Sequence, residues 1–501
     1  MKSKLALMVA GLLLAMMALA QDYAKDFQNP PKDARIRVWW HWMDGNVSKD
    51  GIRKDIEWFH QSGFGGFQQF DAGGSSAGGG QAIVEKLPYM SDAWKDAFRY
   101  AMQLADSLDM EVAVASAPGW SSTGGPWVKP ENAMKRLTWR IMEVSGRPAA
   151  GKPEMIALPE PYDNAGQFQN AGTAESNTSW YQDIAVVALR IPDEDKSLAA
   201  LGAEVSASGG DFTVEQLTDG DLANGTQLKA GPEGGYAWIR YSFPERQTVR
   251  ALSLSGGIVR SQWASMPPDY RSAAAQQTVD IPATTAIHFR LMFKYPVTVH
   301  EFKLHTVTKV NHAEEKAGFA SPHDLSLYDA PQANAPVKEV IDLTPFVKDG
   351  VLTWKVPAGS WRIYRFGQAL TGKQNHPAPP EATGLEVDKL DEAAWMDYFR
   401  NYMDMYKEAA GGMVGQRGIQ YILTDSYEAR AMTWTARMAE EFRARRGYDL
   451  TPWMPVLAGE IVGSSSQSEK FLFDWRQTIG ELFAVADAGM LMPPKSTCGA
   501  S

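Results

Sequence analysis

Tyr421-Ile422-Leu423-Thr424-Asp425-Ser426-Tyr427-Glu428 is a short β-type apolar run that stops abruptly at polar and acidic residues. A buried parallel strand ending at the mouth of an α/β barrel has this pattern, and in such barrels catalytic side chains sit on strand C-terminal ends. Asp425 and Glu428 are therefore the first carboxylates to test for chemistry. The alternative is that Asp425 caps the next helix and Glu428 is a solvated acid in its first turn. Spacing alone leaves both open.

Away from that run, the first third of the chain alternates strand and helix signals. Arg35 to Trp42 reads as a strand, and Ser48 caps a helix to about Gln61 with Ile52, Ile56 and Phe59 on one face. Gly65 to Asp71 is a second strand. Ser91 caps a helix through Leu108, and Glu111 to Ala117 is a third strand. This alternation implies parallel strands joined by right-handed crossovers. After the inserted region described next, a helix is expected from Glu392 to Ala410, then the opening strand. A helix follows from about Thr433 to Arg446, then a strand-like Trp453 to Leu457 and a last helix from about Glu469 to Ala484. The fold class is α/β: a (β/α)₈ barrel, incomplete here with about five βα units where a closed one needs eight.

Between Lys135 and Pro380 the rhythm changes to short alternating runs separated by Gly, Pro, Asn and Asp turns, the pattern of an antiparallel β-sandwich. These runs are Ala185–Arg190, Tyr236–Phe243, Val249–Leu254, Ala286–Phe293, Val297–Leu304, Thr353–Val356 and Trp361–Phe366. The expected organisation is residues 1–20 as a signal peptide and 21–134 as the first part of a catalytic barrel. Residues 135–380 form the inserted β-rich region, 381–484 the second part of the barrel, and 485–501 an atypical tail that reads as a truncation or frame-shifted end.

Bulk properties narrow the function. A net charge of −10 argues against a nucleic-acid partner, which selects basic patches. The 17 Trp and 17 Tyr suit sugar-stacking platforms as well as cores. Lys2 and Lys4, the apolar Leu5–Leu19 and the small-residue Ala18-Leu19-Ala20 before Gln21 form a secretory signal too short for a membrane span. The expected location is therefore secreted or periplasmic. Cys498 is the single cysteine, so no intramolecular disulfide forms.

Several segments together resemble the α-L-rhamnosidases of glycoside hydrolase family 106. They are Arg37-Val38-Trp39-Trp40-His41-Trp42-Met43-Asp44-Gly45-Asn46, Gly65-Gly66-Phe67-Gln68-Gln69-Phe70-Asp71, and the runs 117–128, 310–319, 357–367, 384–389 and 424–429. The resemblance implies a barrel with inserted β domains, inverting hydrolysis of terminal α-L-rhamnosides, and a calcium ion in the sugar site with ligands unknown. It implies that Glu428 is the general acid. It places the base on a later strand with no counterpart here, so activity is expected to be impaired. The partner is a rhamnose-containing oligo- or polysaccharide.

Strand-end residues are the substrate-binding candidates: His41, Asp44, Asp71, Trp120 and Asp425, with Glu386 and Asp388 where the insertion rejoins the barrel. Sugar hydroxyls need fixed polar partners and an aromatic face. The competing readings are a core histidine at His41, a turn cap at Asp71, and domain-junction contacts at Glu386 and Asp388. Tyr427, Trp434 and Trp120 are expected to supply the apolar wall that raises the Glu428 pKa. Gly73–Gly80 lacks a phosphate-loop ending and reads as a loop over the cleft. A non-catalytic carbohydrate-binding protein is the alternative function. A third reading is a product that folds poorly, in which the last helix exposes Phe471, Phe473, Trp475 and Leu482.

Overall fold

Four of the five apolar runs expected to be parallel form strands of one sheet. In a computed structural model, which describes residues 23–73, 83–146, 153–161, 180–220, 224–231, 235–256, 276–319, 339–424, 427, 429 and 432–491, the strands are β1 (Arg37–Met43), β2 (Gly66–Ala72), β3 (Glu111–Ala115), β4 (Lys135–Gly146), β5 (Glu154–Ala157), β6 (Tyr181–Arg190), β7 (Glu204–Ala207), β8 (Thr226–Leu228), β9 (Ala237–Gly256), β10 (Gln276–Phe293), β11 (Val297–His305), β12 (Val340–Asp342), β13 (Val347–Lys348), β14 (Val351–Trp354), β15 (Gly359–Leu370) and β16 (Ile419–Leu423). Contacts divide the chain into two units. One comprises Met1–Thr123, Asn375–Thr383 and Phe399–Glu428; the other comprises Gly124–Gln374, Gly384–Tyr398 and Ala429–Ser501.

The first unit is built on a four-stranded sheet in the order β1-β2-β3-β16, every pair parallel. Its helices start where capping chemistry dictates. Ser48 Oγ accepts from Gly51 N at the helix Lys49–Gln61, and Ser91 Oγ accepts from Trp94 N at Asp92–Ser107. Side chains alternate across each strand. Trp40 and Trp42 face the helices, where Trp42 meets Trp94 and Phe98 edge-on and Trp40 donates to Asp55 Oδ2 at 3.0 Å. Tyr406, from the helix Glu392–Ala409, closes this core against Trp94 and Phe98.

The opposite face of the sheet is open. Trp39, His41, Tyr421 and Leu423 are exposed there. Four parallel strands, rather than about five βα units, are present among the described residues, and they do not close into a barrel. The fifth expected strand, Trp453–Leu457, is instead a 3₁₀ turn (Thr451–Trp453) running into a helical turn (Met454–Leu457). Pro452 and Pro455 occupy first-turn positions, where the missing N–H costs nothing and φ is preset for a helix.

The second unit holds three antiparallel sheets, in the orders β10-β9-β11-β8 (with β7 on β9), β12-β6-β15-β4, and β13-β14-β5. The two strands expected at 236–243 and 249–254 are one continuous β9, its exposed Pro244–Arg246 matched by register shifts in the paired β10. The helix Ser465–Leu491 packs Phe471, Trp475 and Leu482 into a buried cluster with Phe442, Met454 and Phe319, and only Phe473 of the four named residues stays exposed. The expectation of an apolar face left bare is thereby corrected. This helix also runs past residue 484, so the change of composition there is not its end.

Candidate active site

The C-terminal ends of β1, β2 and β3 are held together by backbone contacts. Asp44 N donates to Ala72 O at 2.8 Å, Gly119 N to Asp71 O at 2.7 Å, and Trp120 N to His376 O at 3.1 Å. Segment 375–379 lies across two of these ends, because Gly73 N donates to Pro377 O at 3.1 Å and Asn375 Nδ2 donates to Pro118 O and Ala382 O, both at 3.1 Å. Gly119 adopts φ +80°, and a Cβ there would lie 2.6 Å from Pro377 O. Glycine is required on both counts. Asn375 is buried and donates its amide N–H groups to those carbonyls, which pins segment 375–382 to the loop after β3.

His41 is exposed on the open face of the sheet, which removes the core reading. Its ring centroid is 5.9 Å from that of half-buried Trp120 and 5.3 Å from Phe70. Parallel register sets Gln68 beside Trp39 and Phe70 beside His41, so both β2 residues share this face. Gln68 is buried, and its Nε2 has no partner among the described residues. It is a donor that strand-end reasoning overlooked, although period-2 alternation along Gly65–Asp71 contains the signal. Asp44 is half-buried at the end of β1 with φ +49°. Residues 41, 68, 70 and 120 therefore bring together an imidazole, an amide and two rings, and Asp44 follows directly on β1.

Asp71 is not part of it. Its carboxylate points to the helix-covered side at 2% exposure, where Oδ1 accepts from Trp94 Nε1 at 2.9 Å and Oδ2 from Gln69 Nε2 at 2.6 Å. Burial pushes its pKa up from 3.8 to about 7 against those two donors. Strand position was legible; the face was misjudged, because one residue along a strand reverses the side chain.

Glu386 and Asp388 belong to the second unit and are likewise enclosed. Lys389 Nζ donates to Glu386 Oε2 at 2.6 Å, and Lys135 Nζ lies 3.3 Å from Asp388 Oδ2. Leu390 N donates to Asp388 Oδ1 at 3.0 Å. Burial pushes the Asp388 carboxyl up while Lys135 pulls it down. These are buried charge pairs, which cost several kcal/mol per ion to desolvate and are kept by mutual compensation. Trp434 is fully buried in the core of the same unit, 6.1 Å from Trp475, and not a surface wall. Glu428, Asp425 and the loop 74–80 lie outside the described residues. Among the described residues no three His, Cys, Asp or Glu side chains converge as a metal site, so none is assigned to calcium.

The sequence pattern of glycoside hydrolase family 106, described as alpha-L-rhamnosidase, matches residues 28–495. A solved rhamnosidase from Novosphingobium sp. PP1Y superposes with a TM-score of 0.82 at 40% identity, over 93% of this chain and 45% of that one. A curated protein of Formosa agariphila, called a putative beta-glucuronidase, is 30% identical over 460 residues, 91% of this chain and 28% of its own length. The chain thus spans less than half the length of either relative. A match along nearly its whole length, on the fold seen in the solved rhamnosidase, places the chain in glycoside hydrolase family 106, the alpha-L-rhamnosidases.

Proposed function

We infer that this protein acts as a glycoside hydrolase on terminal α-L-rhamnosyl residues, exported by its Lys2–Ala20 leader. The observation that carries the reading is that His41 and Gln68 share one face of the parallel sheet, with Trp120 beside His41 and Asp44 directly after β1, in a chain of this family. Trp120 supports the apolar face of the sugar ring, while His41, Asp44 and Gln68 are suited to its hydroxyls. Asp71 acts at one remove, fixing Trp94 and Gln69 behind β2. Glu428, five residues beyond the last residue of β16 in the sequence, is the proposed general acid. It gives its proton to the glycosidic oxygen as the anomeric bond breaks. In the inverting route a second carboxylate, about 6.5–9.5 Å away, takes a proton from the attacking water. A barrel closed by further strands and a calcium ion in the sugar site belong to the same reading through the family.

An aryl α-L-rhamnoside tests it. Release of the phenol with first-formed β-L-rhamnose in the NMR spectrum supports the reaction and its stereochemistry. No release from the rhamnoside, with release from another glycoside, contradicts the substrate.

A further inference from the structure

The sandwich sheet that contains β9 and β10 has a face its core does not use. Along β9, Ala237, Ile239, Tyr241 and Phe243 are buried in the sandwich core, which turns Trp238, Arg240 and Ser242 outward. On β10, His288, Arg290 and Met292 are turned outward and exposed, while Phe289, Leu291 and Phe293 pack inward. Register arranges these in three rows: Met292 opposite Trp238, Arg290 opposite Arg240, His288 opposite Ser242. On the other side of β9, strand β7 sets Ser206 beside Arg240 and Glu204 beside Ser242.

The middle row is electrostatically unfavourable by itself. Like charges directly opposite on one face of an antiparallel pair repel. Arg240 donates its Nε–H to Ser206 Oγ at 3.2 Å and lies over the Trp238 ring, 5.7 Å from its centroid. Among the described residues neither Arg240 nor Arg290 forms an ion pair, and Glu204 pairs with neither. In a chain of net charge −10, an uncompensated arginine pair is a local invitation to an anion. Its neighbours define which anion. The Trp238 indole, with exposed Met292, offers a flat apolar contact, and Tyr236 and Tyr295 are exposed just outside the ends of the two strands. Ser242 and His288, their Oγ and Nδ1 3.0 Å apart, offer hydroxyl and imidazole groups. A ring with one apolar face, hydroxyls along one edge and a carboxylate on another matches all three rows.

We propose that the outer face of β9 and β10 binds uronic acid residues of an acidic polysaccharide, with the carboxylate between Arg240 and Arg290 and the pyranose ring on Trp238. This site uses none of the residues of the rhamnosidase reading and goes beyond it.

Calorimetric titration of the full chain with trigalacturonic acid, and with a neutral galactose trimer as control, tests the assignment. The acidic trimer is expected to bind, with affinity that falls as salt is added. Arg290→Ala and Trp238→Ala are each expected to weaken binding by about tenfold or more, and Arg290→Lys to keep part of it. Circular dichroism melting of each variant separates lost contacts from lost fold. Absence of binding, equal binding of both trimers, or undiminished binding by a natively folded Arg240→Ala/Arg290→Ala variant would overturn the proposal. So would pyrophosphate or phosphatidylglycerol vesicles binding as tightly as the trimer, which would show a general anion site. Aryl α-L-rhamnoside hydrolysis is read in parallel: Arg290→Ala leaves it unchanged, so the two readings fail separately.

Discussion

Asp71 and Gln69 form a pair with an unspent acceptor. Gln69 Nε2 donates to Asp71 Oδ2, while Gln69 Oε1 has no partner among the described residues. A neutral group at position 71 that donates to Gln69 fits as well as the carboxylate. Asp71→Asn keeps an acceptor for Trp94 Nε1 and supplies such a donor once the Gln69 amide turns over. We therefore expect Asp71→Asn to cost under about 1 kcal/mol near neutral pH, and Asp71→Leu, which strands the Trp94 N–H, about 1–3 kcal/mol. Chemical denaturation measures both. The pH dependence follows from a folded-state pKa raised from 3.8 to about 7. A raised carboxyl contributes stability that is full below the unfolded pKa and is lost as pH climbs through the folded one. The wild-type advantage over Asp71→Asn should shrink between about pH 4 and about pH 8. A constant difference across that range would remove the buried-acid account. At the open face, Trp120→Ala should raise KM for an aryl rhamnoside about tenfold with little change in melting temperature, since the ring is half-buried against His41.

At the scale of elements, packing decides two outcomes. Trp475 is fully buried in the cluster of the last helix, and its Nε1 donates to Ala317 O at 2.9 Å. Trp475→Ala removes both the volume and the hydrogen bond and should cost about 3–5 kcal/mol, read from denaturant midpoints. The turn after β3 depends on Gly119, so Gly119→Ala should cost about 1–3 kcal/mol and loosen the 116–123 loop to protease, through the positive φ and the clash with Pro377 O. Legibility in the sequence tracks these forces. Strands β1, β2 and β3 and their Ser-capped helices were readable because capping and periodicity are local. The long strand β4 (Lys135–Gly146) had no expectation, since its pairing with β15 is non-local. Trp453–Leu457 reads as a strand by composition, and its prolines decide for a helical turn.

For the whole molecule, the change from parallel strands to antiparallel sheets was legible, because hydrophobic period switches from helix-and-strand alternation to short alternating strands, whereas residues 384–398 and 429–484, read as barrel, group with the antiparallel sheets. The face of each site residue was less so. The His41 and Trp120 rings lie 5.9 Å apart, Asp71 turns to the helices, and Glu386 and Asp388 are sealed beside Lys389 and Lys135. Chain position names candidates, whereas burial and lysine pairing in three dimensions decide which of them face solvent. The central claim, acid catalysis by Glu428 on an α-L-rhamnoside, is tested most directly by comparing kcat of wild type and Glu428→Gln on an aryl α-L-rhamnoside across pH. The account predicts a drop of about 10²–10⁴ with loss of the alkaline limb; unchanged turnover with an unchanged pH profile would contradict it.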